Sequence, residues 1–508
     1  MPTNPFPRSP VALAAALLTA SLAAPAAAQE TGGDTTAGVT VEALSAIEAR
    51  AIGPAAMSGR IGAIDGVPGG STLYVGAATG GVWKSTDAGT TWEPIFDDQL
   101  ASSIGAIAIH PENPDIVWVG TGEVNVRNSA GVGRGVWLTR DGGESWERMG
   151  LADSERIHRI AVHPDDPDVA WVAAAGPLWS DGGQRGVYRT TDGGETWEKV
   201  LEGENPRTGA VEVVVDPRNP HKLFASTWEF RRWPHFFESG GRGSALWVSH
   251  DGGDSWEEVS DEAPFPDGPL GRIGVDVAPS DPDVVYALVE AEKSRLLRSD
   301  DGGESWRVVN SDPGIAQRPF YYGRIMVDPR RPDRIYNIHG TLELSTDGGR
   351  TFRGAATWGG GVHVDHHALW IDPEDPDVVV DGNDGGVYIS RNGAGSWRLV
   401  TNLPLSQFYE IDVDDRVPYH VYGGLQDNGS WMGPAEVWAR GGIRNYHWTE
   451  IGFGDGFHAV DDPDDPRYAF SESQRGYLNR VDLVTGERKD VRPVPPADSV
   501  ELRFNWNA

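Results

Sequence analysis

The densest run of chemically versatile side chains in the 508-residue sequence is His363-Val364-Asp365-His366-His367. Side chains alternate along an extended strand, so His363, Asp365 and His367 would share one face and His366 would point the other way. Three such groups on one face are the donor types of a zinc site, or of a His/Asp acid–base pair. A hydrogen-bonded structural rim uses the same residues. Ligand contact by His363, His366 and His367 ranks above metal binding by His363, Asp365 and His367, and no cofactor is expected.

Carboxylates supply the second candidate chemistry. Glu123 in Gly122-Glu123-Val124-Asn125, Asp427 in Gln426-Asp427-Asn428-Gly429 and Asp455 in Gly454-Asp455-Gly456 sit in loop-like stretches and, with Asp365, are the catalytic candidates. Glycosidic bond cleavage needs two carboxyl groups facing each other, about 5 to 9.5 Å apart, and spacing alone does not pair these four. A third pattern is cationic. Arg60, Arg159, Arg207, Arg272 and Arg324 recur at or near the starts of apolar runs. They form either a cationic mouth for a carboxylate, which suits the guanidinium fork, or partners for the many turn aspartates. Trp228, Trp233, Phe236, Phe237 and Trp358 are aromatic types that stack on sugar rings, and Trp228–Phe237 reads as a loop insertion.

The elements that must position these groups are repetitive. The stretch Thr190-Thr191-Asp192-Gly193-Gly194-Glu195-Thr196-Trp197 recurs around Asp87, Asp141, Asp251, Asp301, Asp347 and, worn, Asn392. In such a turn the carboxylate accepts bonds from nearby backbone N–H groups, glycine supplies positive φ, and the closing Trp (Phe352 in one copy) buries its ring. Proline turns such as His110-Pro111-Glu112-Asn113-Pro114 recur between pairs of apolar runs. The period of about 45 to 60 residues is that of a four-stranded propeller blade. The ligand mouth is then expected where each innermost strand begins, ahead of the proline turns.

The motif Ser/Thr-x-Asp-x-Gly-x-Thr/Ser-Trp, in seven copies, matches the Asp-box or BNR repeat. From about residue 50 onward the chain resembles Asp-box β-propellers, above all the sortilin amino-terminal propeller and the xyloglucanases of glycoside hydrolase family 74. The resemblance implies an all-β fold whose hairpin aspartates are structural and lie away from the ligand face. It implies residues 41–405 as a seven-bladed propeller and 406–508 as the first blades of a second, cut short, with one ring of about ten blades as the alternative. It implies either an exported, non-catalytic propeller that binds a peptide, protein or glycan, or a glycoside hydrolase acting on a β-glucan-type polysaccharide. Family 74 enzymes use two aspartates facing each other, but no shared motif carries those onto residues of this chain. The sialidase pattern, despite Tyr321 and Tyr322 beside Arg324, is incomplete.

Composition agrees with this class. Sixty-five glycines, 36 prolines and 20 tryptophans describe a turn-rich chain with large buried anchors. A formal net charge of -32 disfavours nucleic acid as a partner. With no cysteine, disulfides, thiolate metal sites and cysteine nucleophiles are excluded. Arg8, the apolar run Val11–Ala24 and Ala26-Ala27-Ala28 read as a signal peptide over residues 1–28, followed by a flexible lead-in over 29–40. The expected product is secreted or periplasmic, and not held at a membrane after cleavage.

Overall fold

Each hairpin motif closes on itself, which is why it can be repeated without regard to its neighbours. In the computed structural model Thr190 Oγ1 donates to Asp192 at 2.8 Å, Thr196 N–H donates to the same carboxylate at 2.9 Å, and Thr196 Oγ1 donates at 2.6 Å. Gly194 N–H in turn donates to Thr190 Oγ1. Gly193 and Gly194 hold φ values of 71° and 91°, the left-handed region that side chains disfavour. The same bonds form around Asp87, Asp141, Asp251, Asp301 and Asp347, and Asn392 reproduces most of them through its amide. The tryptophans reach outward: Trp146, Trp197 and Trp397 donate indole N–H bonds to carbonyls of Ile95, Met149 and Ala355 on the preceding sheet.

The structure describes residues 49–497 and 499–507. The signal peptide and lead-in expected over residues 1–40 lie outside them, as do the first residues of the segment expected from 41. The chain divides after Arg50, and every sheet belongs to the unit Ala51–Ala508. Among the described residues there are nine antiparallel sheets, each running in sequence order from the inside outward. Their innermost strands are Ile61–Gly66, Ile104–His110, Ile157–Val162, Thr208–Asp216, Ile273–Val277, Arg324–Asp328 and His366–Ile371, then Phe408–Val413 and Gly456–Asp461. The first seven pack each on the next, and His366–Ile371 packs back on Ile61–Gly66. The seven sheets therefore form a closed propeller ring. The eighth and ninth sheets pack on each other.

Ring closure is an apolar seam. Ile61, Val75 and Trp92 of the first blade share a buried cluster with Trp370, Val380, Val387 and Ile389 of the seventh. The inner strands approach so closely that glycine is required: a Cβ on Gly105 would lie 2.3 Å from the carbonyl oxygen of Ile157, and one on Gly274 2.4 Å from that of Gly323.

Antiparallel order also sorts the loops between two faces. Proline turns (first to second strand) and Asp–Gly hairpins (third to fourth) lie on one face. Starts of inner strands and the loops from second to third strand lie on the other, the mouth face. Trp228–Phe237 departs from the expected loop. The strand Asn219–Trp233 runs far past its blade and pairs with Phe236–Ser239 as a two-stranded arm. Its β-branched and aromatic content favours a strand over a coil.

Candidate functional site on the mouth face

Arg60 enters the first inner strand fully buried, and a buried guanidinium must be paired. Three carboxyl groups from three other blades meet it. Nε donates to Asp384 at 2.6 Å, Nη1 to Glu123 at 2.7 Å, and Nη2 to Asp427 at 3.2 Å. Asp384 is the hub, since it also accepts from His367 Nε2 at 2.8 Å and from the Tyr321 hydroxyl at 2.9 Å. Arg60 and Arg127 both lie over the Tyr321 ring, at 5.4 and 5.2 Å from its centroid.

The protonation states follow from this crowding. Burial alone would push the Asp384 carboxyl up, but Arg60, His367 and their hydrogen bonds reverse this and hold it well below the carboxylate range. Burial keeps His367 on the neutral side despite Asp384, so its Nε2–H is the donor to an ionised carboxylate. Burial, then the Asp384 charge, raises the Asp427 carboxyl well above its ordinary value, with Arg60 opposing and Asp455 adding to the rise. Arg60 holds Glu123 at 2.7 Å and Asp384 at 2.6 Å but Asp427 only at 3.2 Å, so it offsets the rise at Asp427 least. The Asp427 side chain is 24% exposed, against 1% for Glu123 and Asp384. Asp427 sits at φ 62° in a turn of the eighth sheet, and its N–H donates to Asp455 at 3.1 Å. Asp455 also accepts from the Tyr409 hydroxyl at 3.4 Å.

Beside this cluster opens a cleft of about 600 Å³. Arg127, Arg232, Phe237, Phe320, Tyr409, Gln426 and Phe457 line it, so it joins the second, fourth and sixth blades to the eighth and ninth. Gln426 and Tyr409 connect it directly to Asp427 and Asp455.

Glu123, Asp427 and Asp455 thus gather around Arg60. Asp365 lies next to them, 3.8 Å from the Arg318 guanidinium. The alternation expected across His363–His367 does not hold, because Asp365 takes φ 66° and the strand begins only at His366. His366 instead bonds Asp381 at 2.8 Å, and His363 Nε2 approaches the Asp427 carbonyl at 3.4 Å. Among the described residues no three His, Asp or Glu side chains are placed to hold a metal.

Of the remaining arginines, Arg159 and Arg324 line the channel on the ring's axis. Arg159 and Arg324 flank Glu212 at 3.1 and 3.5 Å, and Arg324 also donates to the His158 carbonyl. Arg272 is buried with Trp228 at 5.9 Å, and Arg207 pairs with Asp181 and Glu238. The channel between Arg159, Arg324 and His158 keeps only about 30 Å³, room for a single water molecule. Of the aromatics, Trp228 is fully buried against Phe230, Phe237 lines the cleft, Trp233 stacks on Phe236 at the arm's tip, and Trp358 is 67% exposed.

Sequence reasoning missed Asp384, Arg127 and Tyr409. A signal for Asp384 existed. Glu123, Asp384 and Asp427 all fall within two residues of the end of a blade's second strand: Asn113–Thr121, Val379–Asn383 and His420–Leu425.

Comparison with known proteins agrees with the architecture. The family described as Sortilin-Vps10 ("Sortilin, neurotensin receptor 3") matches residues 80–206 and 134–267. An oligoxyloglucan-reducing end-specific xyloglucanase of Emericella nidulans is 26% identical over 224 residues, 37% of this chain and 25% of that protein. A Paenibacillus xyloglucanase is 25% identical over 232 residues, 40% of this chain and 21% of that protein. The matched stretch thus spans about a quarter of the length of these relatives. Among solved structures, the GH74 xyloglucanase of Xanthomonas campestris superposes with a TM-score of 0.55 at 18% identity, covering 88% of this chain and 75% of that one. The chain is a β-propeller that resembles the sortilin family model over residues 80–267 and shares the fold of a GH74 xyloglucanase.

Proposed function

We propose that this propeller is a glycoside hydrolase acting on a β-glucan-type polysaccharide bound in the aromatic cleft, with Asp427 as the acid. The observation that carries the reading is the Asp427 carboxyl, partly open to solvent beside an aromatic-lined cleft, whose protonated form is favoured by burial and by the neighbouring Asp384 carboxylate. A general acid must hold its proton at the working pH, and burial beside a like charge achieves that. Asp455 is assigned as the opposing carboxylate. It is bonded to the cleft residue Tyr409, whereas Glu123 and Asp384 are committed to Arg60. The relatives named as xyloglucanases support this substrate class.

The test is reducing-sugar release from xyloglucan and other β-glucans. Hydrolysis that Asp427→Asn and Asp455→Asn each lower at least about 100-fold, with the fold intact by circular dichroism, is expected. Wild-type protein that cleaves no β-glucan would sink the proposal.

A second reading, an exported propeller that binds a peptide, protein or glycan without chemistry, is favoured by Arg127. Its guanidinium lines the cleft and, among the described residues, has no ion-pair partner, so it is available to an anionic group. Binding without turnover, lost in Arg127→Ala, would select it.

A further inference from the structure

The opposite face of the ring carries a second concavity. There the channel widens into a cup of about 350 Å³. Its wall is built from the proline turns, with Pro68, Pro111, Pro279, Pro329 and Pro373 around Trp370 and Met326. The repeat itself makes this apolar rim, since five of the seven blades deliver a turn proline to it. Two carboxyl groups, Asp65 of the first blade and Asp276 of the fifth, lie on the cup lining.

Neither carboxyl group has an ion-pair partner among the described residues. Asp65 accepts only backbone N–H bonds, from Gly66 and Ile109 at 2.8 Å, and Asp276 accepts one from Val327 at 2.8 Å. A half-buried carboxylate in an apolar wall without a counter-charge is costly. Burial pushes both groups up to about 6, against those backbone bonds and the more distant Arg159. Arg159 is shared with Glu212, 3.1 Å away. The other charged groups around the axis are also occupied. Arg324 is on Glu212, while Asp328 and Asp372 accept from the N–H groups of their own turns.

His110, 3% exposed, also belongs to the wall of the cup. Its Nδ1 accepts from the N–H groups of Glu112 and Asn113, so in the neutral ring, which burial favours, Nε2 carries the proton. That Nε2 is buried and has no partner among the described residues.

We propose that the proline cup is a second binding site, distinct from the mouth-face cleft, and that it takes a hydrophobic cation. The ammonium or guanidinium would face Asp65 or Asp276, and the apolar body would fill the space between Trp370, Met326 and the prolines. A free amine and a basic side chain of a peptide share this chemistry.

Calorimetric titration tests the proposal with two probes. Tyramine stands for the free amine and N-acetyl-lysine N-methylamide for the peptide side chain. Tyrosol and N-acetyl-norleucine N-methylamide are their neutral isosteres. At pH 7.5 at least one cation should bind, and its neutral isostere at least about tenfold more weakly; which cation binds identifies the source. With the carboxyl groups near 6 in the free protein, affinity should fall about tenfold at pH 5 for each carboxyl the cation engages. Asp276→Asn, whose side-chain oxygen can still accept from Val327, should lower affinity about tenfold where the cation engages Asp276. Met326→Trp fills the cup while sparing both carboxyl groups, and should abolish binding. Equal binding of cation and isostere, no binding by either cation, or full affinity in both variants would overturn the assignment.

Discussion

Replacing Asp427 with asparagine should stabilise the protein, and more so as the pH rises. Asp427 is the third carboxyl on the Arg60 guanidinium, at 3.2 Å where Asp384 is at 2.6 Å, and it lies beside the Asp384 charge. Its folded-state pKa is raised, so between the unfolded value of about 3.9 and the folded one the native state binds the extra proton, and stability falls as pH rises. The slope is at most about 1.4 kcal/mol per pH unit. Asparagine does not titrate, fills the same space, and can donate to Asp384 as the protonated acid does. The stability gap between variant and wild type should therefore open above about pH 4 and widen between pH 4.5 and 6.5 by about 1–3 kcal/mol, the lower end allowing for the side chain's solvent contact. Urea unfolding followed by tryptophan fluorescence at four pH values from 4.5 to 7.5 measures this, with the two m-values compared. Every other titrating group is common to both proteins and cancels in the difference. Parallel curves, or a variant less stable at pH 7.5, would refute the assignment of the proton to Asp427 and remove the physical basis for its role as an acid.

Three further outcomes are expected from the geometry. Arg60→Met strands the Asp384, Glu123 and Asp427 carboxyl groups and should cost about 3–5 kcal/mol in urea unfolding, with Arg60→Met/Asp384→Asn costing less than the sum of the two single changes. Asp251, pulled down to about 2 by the Ser255 hydroxyl and then by the Ser255 N–H and the Ser249 hydroxyl, contributes stability above the unfolded pKa that is lost as pH falls through the folded one. The destabilisation by Asp251→Ala should therefore shrink between pH 4 and pH 2, read from the unfolding midpoints. Gly274→Ala places a Cβ 2.4 Å from the Gly323 carbonyl oxygen on the neighbouring inner strand and should cost about 1–3 kcal/mol in the same assay.

How far the sequence could be read depended on how local each device is. The hairpin around Asp192 is made of bonds within seven residues, from Thr190 to Thr196, so its copies could be recognised and counted from spacing alone. The proline turns were legible for the same reason. The arginines could be placed at inner-strand starts, but not their partners. Arg60 meets Asp384 across 324 positions and Glu123 across 63, and nothing in the sequence announces such pairings. Left-handed backbone at Asp365 was equally hidden, because an aspartate before two histidines looks like strand until the chain is seen to turn there. The arm from Trp228 to Phe237 was misread for a related reason. Its residues are strand formers, but the partner strand is its own return, Phe236–Ser239, and a two-residue connection left little loop to recognise.

The two faces of the ring differ in what the repeat controls. On the proline-turn face the blades supply similar turns, and Asp65 and Asp276 stand three residues before the turn proline, a position that is apolar in the other five blades. On the mouth face the second-to-third-strand loops share no common sequence. Gly122–Gly135 is long, Asp384–Gly385 is a tight turn, and Gln426–Gly429 belongs to a sheet outside the ring. A carboxyl group therefore reaches Arg60 from each by a different route. Such a convergence has no repeat to maintain it and holds only if the blades are rigidly fixed, which the apolar seam between Ile61 and Trp370 and the close glycine contacts of the inner strands provide. The hairpin aspartates, chemically the most conspicuous feature of the chain, serve that rigidity from the far side of the molecule. Asp427, the residue proposed as the acid, lies in a sheet that has lost the hairpin motif.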